Sequence, residues 1–238
     1  MSFATRLTRV VIGAVTVGCA TVGYAWVVLP DVRALVTGRP SSTAFMRLRA
    51  EEARDAGRTE RASWKWTSHR LIAESLKAAV VVSEDAAFWG HDGLDVHELR
   101  ASIEDSLRRR VMPRGASTIT QQLAKNLYLS PSRNPYRKLV ELMIARRLEA
   151  ELSKSRILEL YLNVIEWGDG VWGAEAAART YFGKSAAELT DDESALLAAA
   201  IINPRLYSPA RPDARLRGRQ RIILERLARR RAATGSVN

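Results

Sequence analysis

From Val10 to Leu29 no residue carries a charge, and this twenty-residue run constrains the chain more than any other feature. A helix crossing the hydrocarbon core of a bilayer needs about 20 apolar residues, so the run is long enough to span one. Arg6 and Arg9 precede it, which by the positive-inside bias assigns residues 1–9 to the cytoplasm. Tyr24 and Trp26 lie near the far end, where aromatic rings favour the interface, and Pro30 stops the helix. The competing reading is a cleaved signal peptide. Gly23-Tyr24-Ala25 matches a small-x-small cleavage site poorly, and the run is long for the apolar region of a signal. Cys19 lacks the aliphatic residue at Thr16 that a lipoprotein site needs. A single transmembrane helix over 10–29 is therefore the expectation, with everything after it outside the cytoplasmic membrane.

That topology gives the charge its meaning. A formal net charge of +11 calls for an anionic partner: nucleic acid, an anionic lipid surface or a phosphorylated substrate. A domain outside the membrane does not meet the cell's DNA, so nucleic acid drops out. Cys19 is the only cysteine, which excludes an intrachain disulfide and any cysteine-based metal site. At 238 residues the chain has room for one domain and a short extra segment.

Residues 30–62 are polar and read as a juxtamembrane connector, with helical character from Phe45 to Arg58. The domain is expected over 63–232 and a frayed tail over 233–238. Within the domain the apolar spacing is helical almost throughout: Leu71, Ile72, Leu76, Ala79, Val80 and Ser83; Val140, Ile144 and Leu148; Ile157, Leu160, Tyr161 and Val164 after a Ser153 cap. Thr190 to Glu193 forms a capping box before an alanine-rich helix that should end at Asn203-Pro204. Val80-Val81-Val82 is the one β-like run and is outvoted by its flanks. The fold class is mainly α.

Four segments place polar residues badly for a plain solvated surface. Glu84-Asp85 sits where an apolar helix stops, before Phe88, Trp89, Gly90 and His91. A carboxylate beside apolar rings can titrate high enough to serve as acid or base, whereas a solvated helix end is the plainer reading. Ser117 to Asn126, if helical from Ser117, sets Ile119, Leu123 and Leu127 on one face and Thr118, Gln122 and Lys125 on the other, a row suited to sugar and phosphate oxygens. Gly115 before it would let an anion approach exposed N–H groups. Arg137-Lys138-Leu139-Val140-Glu141 is either an ordinary i,i+4 ion pair or a pair of phosphate ligands beside a carboxylate. Lys154 to Asn163 by itself is an amphipathic helix.

Taken in order, these segments resemble the biosynthetic peptidoglycan glycosyltransferases, both the monofunctional enzymes and the corresponding domain of class A penicillin-binding proteins. Glu84-Asp85-x-x-Phe88-x-x-His91-x-Gly93, the run from Gly115 to Asn126, Arg137-Lys138-x-x-Glu141 and Ile157-Leu158-x-x-Tyr161-Leu162-Asn163 match the family's motifs. The similarity continues through Glu166-Trp167-Gly168, Tyr181-Phe182-Gly183 and Asn203-Pro204, so it covers about residues 66–225. With no transpeptidase domain after it, the chain looks like the monofunctional type.

The resemblance implies a lysozyme-like helical fold with a small apolar lobe dipping into the membrane, to which Phe88-Trp89, Val111 and Met112 could belong. It implies lipid II and the growing glycan strand as substrates, with other cell-wall synthesis or division proteins as further partners. Catalytic roles carry over to Glu84 as general base and to Glu141, which would help the leaving pyrophosphate directly or through a divalent cation. Substrate binding carries over to Ser117, Thr118, Gln122, Lys125, Asn126, Arg137 and Lys138. No cofactor is required by the sequence, although the resemblance leaves room for Mg2+ or Mn2+ at the pyrophosphate. Asp85 would orient its surroundings, and His91 and His97 read as structural because no ligand set accompanies them. Two alternatives stay open: a lytic, lysozyme-like glycan hydrolase, and an inactive lipid II-binding scaffold.

Overall fold

The computed structural model of the chain describes residues 29–59, 62–109, 117–131 and 134–235, together with positions 9, 12, 13, 16, 18, 23 and 24. Most of the expected span, Val111, Met112, Gly115 and the last three residues lie outside the described residues. Among the described residues no helix is long and apolar enough to cross a membrane.

The described elements are α1 (Ala44–Asp55), β1 (Ser63–Trp64), α2 (Glu74–Glu84), α3 (Val96–Arg109), α4 (Ile119–Tyr128), α5 (Pro135–Glu151), α6 (Lys154–Val164), β2 (Glu166–Gly168), β3 (Val171–Trp172), α7 (Ala174–Phe182), α8 (Asp191–Ala200) and α9 (Ala214–Gly235). The mainly helical expectation therefore stands. Val80, Val81 and Val82 are buried within α2, where packing overrides their β propensity.

Local chemistry accounts for most helix boundaries. Ser153 accepts from the Arg156 N–H and caps α6. Thr190 and Glu193 form the expected capping box on α8. Asn134 caps α5, with Pro135 in its first turn. Two boundaries differ from the expected ones. Leu71 lies in a 3-10 turn before α2 and is 59% exposed. The α8 helix stops at Ala200, short of Asn203-Pro204.

Two helical groups build the core. In one, α8 packs against both α2 and α9. Ala195, Ala198, Ala199 and Ala200 of α8 are fully buried, and such small side chains let neighbouring helix axes come close. In the other, α4 packs on α5 and α6 through Ile119, Leu123, Ile144, Leu148, Ile157 and Leu160.

A three-stranded sheet escaped the sequence reading. Its order is β1-β3-β2, with β1 parallel and β2 antiparallel to β3. Strands of two or three residues are too short to show alternation. Asn163 joins this sheet region to α6. Its side chain accepts from the Thr67 N–H at 2.8 Å and donates to the Thr67 and Glu159 carbonyls, both at 2.8 Å.

The segment expected as a connector packs onto the domain. Leu29, Val32 and Leu35 belong to the domain's buried core, and Met46 is also buried. Arg156 donates to the Leu35 carbonyl at 2.9 Å and to the Gly38 carbonyl. Arg49 of α1 reaches Glu166 at 3.1 Å. The segment reads as polar because much of its docking runs through arginines and carboxylates.

Candidate active site

Glu84 is the last residue of α2. Asp85 then leaves helical geometry at φ −162°, ψ 78°, so the adjacent carboxylates enter different environments. Glu84 lies half-buried in a cleft of about 400 Å³ lined also by Ser83, Asp95, Glu98, Ser117 and Arg226. Its carboxylate accepts from Ser83 Oγ at 3.2 Å and from Gln122 Nε2 at 3.0 Å. Burial raises its titration above the usual glutamate range, against the pull of those two hydrogen bonds and of the Arg219 and Lys125 charges. A carboxylate held this way accepts a proton near neutrality more readily than an exposed one.

Asp85 points the other way and is buried. Its two oxygens accept from His91 Nε2 at 2.9 and 3.1 Å, and one accepts from the Ile119 N–H at 2.9 Å. Ile119 is the first residue of α4, so Asp85 satisfies one of that helix's otherwise unpaired N–H groups. His91 Nδ1 accepts from the Gly93 N–H at 3.1 Å, which assigns the ring hydrogen to Nε2. The Gly93 carbonyl in turn accepts from Thr118 Oγ1 at 2.9 Å and from Gln121 Nε2 at 3.3 Å. Gly93 has φ +83°, and a Cβ there would come within 3.1 Å of the Glu149 side chain. Asp85, His91 and Gly93 thus fasten the end of α2 to the start of α4. His91 has the expected structural role.

The α4 helix begins at Ile119 rather than Ser117, because Thr118 is its N-cap and accepts from the Gln121 N–H. Thr118 is buried with its hydroxyl engaged on both sides. The expected apolar face holds, with Ile119, Leu123 and Leu127 all buried. Gln122 sits between Glu84 and Tyr161, whose hydroxyl donates to Gln122 Oε1 at 2.9 Å. Asn126 turns its amide to the Gln122 carbonyl at 2.8 Å.

One turn along α4 from Gln122, Lys125 approaches the cluster of Arg137, Lys138 and Glu141. Glu141 is buried and both its oxygens are engaged, with Arg137 at 2.7 Å and Lys138 at 2.5 Å. Lys138 also reaches Gln121 Oε1 at 3.2 Å and Ser117 Oγ at 3.3 Å. Burial lowers the Lys125 ammonium's titration; Glu141 opposes the change, while Arg137 and Lys138 add to it. Its Nζ lies 5.8 Å from the Phe45 ring of α1.

Glu84 and Gln122 are in direct contact, and Lys125 feels the charge of both glutamates. Ser117, Arg137, Lys138 and Glu141 are linked through Lys138. Three residues carry weight that the sequence reading missed. Gln121 ties Lys138 to Gly93, Tyr161 fixes Gln122, and Arg226 enters the cleft from α9. Tyr161 and Gln121 lie inside recognised motifs, yet spacing alone presents the tyrosine as one more core residue. Phe88 is fully buried, which removes it from any membrane-facing lobe, whereas Trp89 beside it is 48% exposed. Phe88 belongs to the buried hydrophobic core, and the Lys154 ammonium lies 4.5 Å from its ring centroid.

Among the described residues no group of three or more His, Cys, Asp or Glu side chains is placed to hold a metal ion. In the basic cluster the one carboxylate already has a cation on each oxygen, a donor set that does not suit a divalent metal. A larger cleft of about 560 Å³ lies between α1 and the β2–β3 turn, lined by Arg49, Arg58, Trp172 and Arg205. Arg49 and Arg205 are paired there with Glu52, Glu166 and Asp169, and neither Glu84 nor the basic cluster lines it.

Residues 51–228 match the model of the Transglycosylase family. Curated relatives similar to this chain are called biosynthetic peptidoglycan transglycosylases. The protein of Nitrosomonas eutropha is 46% identical over 80% of this chain and 78% of its own length. That of Nitrosospira multiformis is 44% identical over 79% and 82%. That of Herminiimonas arsenicoxydans is 44% identical over 81% and 83%.

Proposed function

The chain belongs to the transglycosylase family, and on that premise we propose that it is a peptidoglycan glycosyltransferase polymerising lipid II at the outer face of the cytoplasmic membrane. One observation carries the mechanism. A single face of α4 touches the candidate base through Gln122 and, one turn on, presents Lys125 toward the basic cluster. One rigid element therefore links the base at the end of α2 to the cations of α5, as a displacement at a single carbon requires.

Glu84 takes the proton of the acceptor N-acetylglucosamine 4-hydroxyl. As that oxygen forms its bond to the donor's anomeric carbon, the carbon–phosphate oxygen bond breaks on the opposite side. The product is an inverted β-1,4 link, and undecaprenyl pyrophosphate departs. Lys125, Arg137 and Lys138 stabilise the charge that grows on the pyrophosphate, and fixed cations in a partly desolvated cleft suit that task. With both oxygens engaged, Glu141 acts by holding Arg137 and Lys138 in place. Ser117, whose Oγ lies 3.3 Å from Lys138 Nζ, orients phosphate or sugar oxygens.

The uncharged run from Val10 to Leu29 supports a single-pass anchor that keeps the domain beside its lipid-linked substrate. The net charge of +11 suits an anionic lipid surface. A hydrolase of preformed glycan would break a bond with no pyrophosphate on it and would have no use for the basic cluster. Incubating the detergent-solubilised chain with labelled lipid II tests the reading. Polymer that a muramidase digests supports it; shortening of preformed glycan without polymer formation would replace it with the hydrolase.

A further inference from the structure

The Gln122 side chain has two chemically opposite ends, and the reaction depends on which one faces Glu84. An amide N–H end supports a carboxylate, whereas a carbonyl end can be satisfied only by a protonated carboxyl group. Among the described residues the one other group on the amide's nitrogen end is the Ser117 carbonyl, a weak acceptor at 3.5 Å. The selection comes from behind. Tyr161 is fully buried on α6, and its hydroxyl meets the other end of the amide, Oε1, at 2.9 Å.

We propose that Tyr161 is a positioning residue for the transfer reaction: its buried hydroxyl donates to Gln122 Oε1 and thereby locks Gln122 Nε2 onto the Glu84 carboxylate. This rests on the reading of Glu84 as the general base and adds a residue that touches no substrate. Burial and the nearby Glu84 and Asp85 charges keep the phenol protonated far above neutrality, so it always has a hydrogen to give. The donor direction therefore persists across the working pH range, and an inverted amide would set its carbonyl against a carboxylate.

Other groups face Glu84 as well. Ser83 donates to it at 3.2 Å, Arg219 of α9 and Lys125 of α4 act through space on its charge, and Asp85, Asp95, Glu98 and Arg226 line the same cleft. None of them hydrogen-bonds Gln122 in place of Tyr161, so removing the phenol hydroxyl isolates the lock.

The test is the pH dependence of lipid II polymerisation by the full chain, comparing wild type, Tyr161→Phe, Gln122→Leu and the double variant. Tyr161→Phe should lower kcat at neutral pH roughly three- to tenfold, the scale of one lost hydrogen bond. It should move the acid limb of the profile to higher pH, so that part of the loss is recovered in alkaline buffer. Gln122→Leu should move the limb the same way, and adding Tyr161→Phe to it should move the limb no further. A Tyr161→Phe enzyme that loses rate equally at every pH, or one whose limb shifts as much in the Gln122→Leu background, overturns the lock. If Tyr161→Phe does not fold, Gln122→Leu with an unmoved acid limb overturns it alone. An active Glu84→Gln enzyme would sink the general-base reading instead, so the two failures are distinguishable.

Discussion

Asp85 is the joint on which the site's geometry depends, and Asp85→Ala is the most informative single perturbation of the fold. The carboxylate is buried and accepts from two donors, His91 Nε2 and the Ile119 N–H. Alanine leaves both without an acceptor. Each orphaned buried donor costs about 1–3 kcal/mol, so the variant should lose about 2–6 kcal/mol of stability. At about 2–4 °C per kcal/mol for a domain of this size, its Tm should fall by at least about 4 °C. His91→Ala removes one of those donors but leaves Asp85 its bond to Ile119, and should cost less. Because the two side chains share a bond, the double variant should be less damaged than the sum of the singles, by about 1–3 kcal/mol. Denaturation of all four proteins in the same detergent measures the cycle. Loss of under 1 kcal/mol for Asp85→Ala, or full additivity, would refute the joint. Polymerisation should fall as well, because Thr118, Gln122 and Lys125 lose their register on Glu84 when the start of α4 is released.

Three further outcomes are expected. Glu84→Gln should stabilise the fold near neutral pH: burial disfavours the charged form, so the native state loses stability as pH rises through the glutamate titration. That advantage should vanish in acid, where both proteins are uncharged at this position, as denaturation at two pH values would reveal. Arg137→Ala should cost more stability than Lys138→Ala, because Arg137 is the less exposed partner of the buried Glu141, and both should slow polymerisation by about tenfold or more in single-turnover assays. Gly173→Ala should destabilise by at least about 1–3 kcal/mol in thermal unfolding, since its φ of +80° lies outside ordinary side-chain territory and a Cβ would meet the Asn163 carbonyl at 2.8 Å.

Much of the helical layout was legible because helices advertise themselves through period and caps: Ser153, Thr190 and the Ile119–Leu123–Leu127 stripe all stand where their chemistry predicts. The sheet was not, since β1, β2 and β3 hold two or three residues each. Nor was the docking of residues 29–55, whose anchors are long-range pairs such as Arg49–Glu166, and no local pattern encodes partners 117 residues apart. Glu84, Lys125, Arg137, Lys138 and Glu141 could be named from their motifs. What the sequence could not say is what each polar atom faces. Thr118 looked like a sugar ligand and is a helix cap; Glu141 looked open to the leaving group and has both oxygens engaged. Tyr161 looked like core and reaches the base through one intervening amide.

Whether Glu84 is the base with which this chain joins lipid II units is read from glycan polymer formation on labelled lipid II by the wild type and by Glu84→Gln, both shown to be folded and able to bind the substrate. With Glu84 as the base, the wild type forms polymer and releases undecaprenyl pyrophosphate, and the variant does neither. Polymer from Glu84→Gln at a comparable rate would contradict that role.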